Sequence, residues 1–133
     1  MRVTVLTAFV ALGLAGCSFS VTMMPRDSGR IYAGELVSTG IGKGALTIKT
    51  EEGVCTGPAS RIASNESFSL INTYGPRGAS VSALSSSGDV RIRALLSCPN
   101  GGALRCEITG RDGNGGGLCL DNSSKVFDLI VQR

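Results

Sequence analysis

From residue 30 to the C-terminus, apolar and polar residues alternate in short runs separated by glycine- and serine-rich breaks. This is the period of strands with one wet and one dry face. In residues 30–38, Ile31, Ala33, Glu35 and Val37 fall on one face and Tyr32, Gly34 and Leu36 on the other. Residues 39–44 read as a hairpin turn, and in residues 45–50 Leu46 and Ile48 alternate with Thr47 and Lys49 to make a second strand. Residues 51–57 predict a turn and a short strand around Cys55, ended by Pro58. Between 60 and 73 the spacing of Ile62, Phe68, Leu70 and Ile71 fits one long strand or two short ones. Residues 74–78 carry turn chemistry, and 81–88 suit either a strand or a single helical turn. In residues 89–98 the pattern is clear again: Val90, Ile92, Ala94 and Leu96 share a face, with Arg91 and Arg93 opposite. Three last strands are predicted at 103–109, 117–121 and 125–132. Their short connections argue for an antiparallel meander. The expected fold is all-β, a single antiparallel β-sandwich or small β-barrel.

The N-terminus breaks this pattern. Met1-Arg2 is a minimal positive start, and the twelve residues from Val3 to Leu14 carry no charge. A spanning helix needs about 20 apolar residues, so this is the apolar region of an export signal. It closes on Leu14-Ala15-Gly16-Cys17, which resembles the lipobox of bacterial lipoproteins. That resemblance implies a diacylglyceryl group on the Cys17 thiol, removal of residues 1–16 as a signal peptide, and acylation, commonly by palmitate, of the new amino terminus. It also implies handling by the lipoprotein processing and sorting machinery. Ser18 is not the Asp that favours inner-membrane retention in enteric members, so the resemblance leans toward the outer membrane. Two or more chains hold a protein firmly, because each buried methylene is worth about 0.8 kcal/mol. Residues 18–29 show no sustained period and contain Pro25 and Gly29. The expected organisation is therefore a signal peptide over 1–16, a lipidated tether over 17–29, and a β domain over 30–133. As flexible coil, a dozen tether residues have an r.m.s. span of about 20 Å.

Composition narrows the function classes. Removing residues 1–16 leaves 117 of the 133 residues, enough for one domain with a modest core. The full chain has 13 basic and 10 acidic side chains, a net +3, and loss of Arg2 leaves +2. The basic residues are scattered, and nothing argues for nucleic acid. Tryptophan is absent and glycine contributes 19 residues, which suits short strands and many turns better than a helical bundle.

With Cys17 assigned to lipid, four cysteines remain: Cys55, Cys98, Cys106 and Cys119. An exported chain in an oxidising compartment should pair them. A two-residue turn at Asp112-Gly113 sets Cys106 opposite Cys119. Counting outward, they fall at a non-hydrogen-bonded position, where α carbons lie about 4.5 Å apart, within disulfide reach. Cys55 with Cys98 follows by elimination. A turn at Asn100-Gly101 would put Cys98 against Ala103 and Cys106 on the other face, which disfavours pairing those two.

Catalytic and metal chemistry find little support. The chain has no histidine, which removes Ser-His and Cys-His nucleophile systems, and Glu51-Glu52 sit together in a turn without the contrasting environments an acid/base pair needs. No enzyme activity and no cofactor are expected. A phosphate loop fails on residues 37–44, where its first glycine would fall on Val37 and its Ser/Thr on Gly44. There is no Cys-x-x-Cys for zinc. The run Asp112-Gly-Asn-Gly-Gly-Gly117 suggests calcium by its oxygen side chains but lacks the loop register and distal Glu of an EF-hand; a mobile hairpin loop is preferred.

Cys55-Thr-Gly57, Cys98-Pro-Asn-Gly-Gly-Ala-Leu-Arg-Cys106 and Gly115-Gly-Gly-Leu-Cys-Leu-Asp121 together resemble a pattern in small envelope lipoproteins of Gram-negative bacteria, which carries no activity with it. The functional expectation is a membrane-anchored, non-catalytic binding, interaction or structural module of the cell envelope, with an envelope protein as partner. The alternatives are a small-ligand or calcium-binding barrel using its mouth, with the 111–117 loop as lip, and an inhibitor in the manner of periplasmic lysozyme inhibitors. The last is an analogy of fold only.

Overall fold

The computed structural model describes residues 17–62, 90–111 and 113–133. Within them eight strands follow one another in chain order: β1 (Ser18–Pro25), β2 (Tyr32–Gly40), β3 (Lys43–Thr50), β4 (Gly53–Arg61), β5 (Val90–Ser97), β6 (Ala103–Arg111), β7 (Asn114–Asp121) and β8 (Val126–Gln132). Each pairs antiparallel with the next, and β1 pairs with β8 to close a barrel. Closure removes the two open edges that an eight-strand meander would otherwise expose. The signal peptide expected over 1–16, the turn expected at 74–78 and the elements expected over 63–88 lie outside the described residues.

One expectation is overturned. Residues 18–25, read as part of a flexible tether, form β1. Val21 and Met23 point into the barrel at 2% and 0% exposure, and Phe19 packs against the same core. The alternation continues through Pro25, which is buried with Val21 and Met23, but Met24 puts an apolar residue on the outer face and proline reads as a breaker. The partners of β1 are β2 and, from the far end of the chain, β8, so no local turn announces it.

The other boundaries moved for simple reasons. Pro58 lies inside β4, opposite Ala45. A proline removes one donor rather than a strand, and on the β5 side the ladder passes from Thr56–Ser97 to Ala59–Ala94. Gly115 and Gly116, expected in a loop, belong to β7, because strands here come so close that side chains are excluded. The β2–β3 connection shrinks to Ile41-Gly42, with Gly42 at φ 69°, a left-handed value suited to glycine.

The core is the barrel interior. Eight strands enclose a space just wide enough for side chains or one small ligand. Leu46, Ile48, Ala94, Leu96, Cys106 and Cys119 are among its most buried residues. The face of β2 that turns inward carries Gly34 and Leu36, with Tyr32 packed against the core. Cys106 and Cys119 face each other across β6 and β7, in the register that runs out from the Arg111–Asn114 pair. They are joined as a disulfide with α carbons 4.1 Å apart. Cys55 on β4 is joined to Cys98, just past β5. A short 3-10 turn over Pro99–Gly101 follows, held by the Cys98 N–H donating to the Gly102 carbonyl at 2.8 Å.

Candidate functional site

The two ends of the barrel differ. One end gathers the β1–β2, β3–β4 and β7–β8 turns and is rich in paired charges. Arg26 donates to both carboxylate oxygens of Asp128, at 2.9–3.1 Å. Lys125 lies 3.5 Å from Asp27, and Arg30 pairs with Glu51. A cavity of about 450 Å³ here is walled by Glu51, Glu52, Asn100, Asp121 and Asn122, beside the Cys55–Cys98 bridge. Such a polar wall holds water readily.

At the other end the described residues line an apolar recess. A cavity of about 280 Å³ is floored by Phe19, Leu36, Ala59, Ile92, Ile108 and Val131. Its existence follows from residues that have no side chain. Gly44 on β3, Gly110 on β6 and Gly115 on β7 line it, and each occupies the inward register of its strand, alternating with Leu46, Ile108 and Cys119. A complete ring of large residues would have filled the barrel; three gaps leave room. An apolar lining of this kind favours apolar guests, because their burial removes apolar surface from water.

Charge is confined to the rim. Lys43 begins β3, Arg61 ends β4 and Arg111 ends β6; all three line the cavity, and no acidic residue among the described residues does. Lys43 is opposite Ser60, and the Arg61 N–H donates to the Gly42 carbonyl at 2.9 Å, so backbone pairing holds both cations at the opening. Asn114, at the start of β7, joins the same wall. Asp112, the one carboxylate in the loop considered for calcium, lies outside the described residues, and among the described residues no three His, Cys, Asp or Glu side chains gather where a metal would be held.

Cys17 stands at this end. It is exposed, bears a free thiol, and directly precedes β1. Its carbonyl accepts a hydrogen bond from the Ser38 N–H at 3.0 Å, and Ser38 lines the cavity. The turn beside it carries Ile41, whose side chain is wholly in solvent. The residue singled out for lipidation is therefore brought to the mouth, whereas the four remaining cysteines lie in the barrel wall and at its other end. Sequence reading pointed to the 111–117 loop as a lip but missed Lys43, Arg61 and the cavity floor. The floor residues carry only the signal of ordinary core positions, and the gap glycines read as turns.

Compared with protein-family models, with curated proteins and with solved structures, the chain matches none.

Proposed function

We propose that this protein is a non-catalytic binding module of the bacterial envelope, anchored through lipid on Cys17, that takes a small apolar or amphipathic molecule into the open end of its barrel. The observation that carries this reading is the apolar-lined cavity of about 280 Å³ placed beside Cys17. Small-molecule sites are concave, mostly apolar and marked by a few polar groups, commonly in barrel mouths, and their volumes begin at about 300 Å³. At about 280 Å³ this cavity falls just below that range, and fits one narrow guest.

An anchor at the barrel wall has a consequence for placement. With β1 in the wall, the lipid leaves from the rim and the mouth is held near the membrane surface. Guests drawn from that surface need cross little water.

The test is titration of the Cys17→Ser chain with the uncharged dye N-phenyl-1-naphthylamine. One saturable site is expected in the parent. Ser38→Trp, at an exposed rim position, should block it with the two disulfides intact. Undiminished binding in Ser38→Trp, or none in the parent, would refute the site.

A further inference from the structure

We propose that the β2–β3 turn is a second point of membrane contact, with Ile41 entering the lipid surface beside the acylated Cys17. This rests on the lipid anchor proposed above and names the part of the barrel that meets the bilayer.

The anchor leaves no slack. β1 begins at Ser18, so no flexible residue separates Cys17 from the barrel wall, and lipid on its thiol brings this end of the barrel against the headgroups. The Cys17 carbonyl accepts from the Ser38 N–H at 3.0 Å. Ser18 is opposite Val37 in an antiparallel pair, so β2 runs on past the start of β1 as it approaches its turn. Ile41 lies three residues beyond Ser38, about 10 Å of extended chain. The turn therefore reaches farther from the barrel centre than the point of lipid attachment.

Its residues suit a lipid surface. Ile41 is 103% exposed, the highest value among the exposed large hydrophobics of the described residues. A single exposed apolar side chain is ordinary on a protein surface; its place beside the anchor gives this one a partner, because insertion removes its apolar area from water. Residues 38–44 contain no acid, and their one charge is Lys43, whose long stem lets the ammonium stay at phosphate depth while its methylenes lie deeper. The turn is also braced. The Gly42 carbonyl accepts from the Arg61 N–H at 2.9 Å, and the Ser38 hydroxyl donates to the Gly40 carbonyl at 3.3 Å, so little ordering remains to oppose insertion. The turns of the opposite end carry Arg26, Asp27, Arg30, Glu51 and Glu52, charges that would have to shed water.

The chain has no tryptophan, and Cys55, Cys98, Cys106 and Cys119 are held in disulfides. The mature chain, residues 17–133, therefore couples through Cys17 alone to a maleimide lipid in phosphatidylethanolamine–phosphatidylglycerol vesicles. In Ile41→Trp the single indole should shift its emission to shorter wavelength on coupling and be quenched by lipids brominated along their acyl chains. Glu52→Trp, at the opposite end, should show neither effect. In the unsubstituted chain, coupling should slow hydrogen exchange at the amides of residues 39–42, and Ile41→Asp should lose that slowing. Both positions are exposed, so folding is retained. Ile41→Trp behaving like Glu52→Trp, or exchange unchanged by coupling, overturns the contact and leaves the anchor standing, since the maleimide supplies the lipid whether or not the cell does. An unlipidated mass of the cellular protein overturns the anchor and this contact with it.

Discussion

Thr109 shows how a single atom bears on stability. It faces outward on β6, yet it is 4% exposed and its hydroxyl finds no hydrogen-bond partner among the described residues. A buried hydroxyl without a partner costs about 1–3 kcal/mol. Thr109→Val keeps the shape and removes the orphan, so it should stabilise the chain by about 1 kcal/mol, read as a higher urea midpoint at unchanged slope; a lower midpoint would mean that the hydroxyl is satisfied. Gly117 sits at the opposite extreme. A β carbon there would collide with the backbone carbonyl of Glu107 on the facing strand, and backbone cannot step aside. Gly117→Ala should cost more than about 2 kcal/mol, whereas Gly29→Ala, with nothing within 4 Å of the added carbon, should be close to neutral. The same glycines explain what sequence reading lost. Gly115 and Gly116 read as a loop because glycine is the usual mark of a turn, but here the missing side chains let strands approach.

Among the elements, β1 separates a barrel from a tethered sandwich. Met23 is fully buried, so Met23→Ala should lose about 2–5 kcal/mol, an effect that a residue in a solvated tether would not have. Hydrogen exchange should protect the backbone amides of β1 as well as those of β2 and β8. The disulfides make an independent prediction. Cys55–Cys98 spans 43 residues and Cys106–Cys119 spans 13, and chain entropy assigns them about 4 and about 3 kcal/mol respectively. Thermal unfolding of Cys55→Ala/Cys98→Ala should register the larger loss. Legibility divides here by range. Where a two-residue turn joins neighbours, as between β6 and β7, a count from Asp112-Gly113 is enough to set register down to the cysteines. Where pairing joins the ends of the chain, as β1 to β8, nothing local encodes it, and Pro25 and Gly29 read as breakers of a strand that ends at the first of them.

On the scale of the whole molecule, closure, charge and anchor lie along one axis. Among the described residues, the Arg26–Asp128, Lys125–Asp27 and Arg30–Glu51 pairs lie at one end, and the apolar-lined cavity and Cys17 lie at the other. This arrangement was only partly legible: the lipobox resemblance and the all-β pattern came from the sequence, but the position of Cys17 on the barrel rim depended on β1 entering the wall. The direct test is the intact mass of the protein taken from the membrane fraction, before and after reduction, beside a Cys17→Ala chain. The account predicts residues 17–133 plus a lipid adduct, a gain of four hydrogens on reduction of the two disulfides, and no adduct on the Cys17→Ala chain. An uncleaved or unlipidated mass would contradict the anchor at the barrel mouth on which the functional proposal stands.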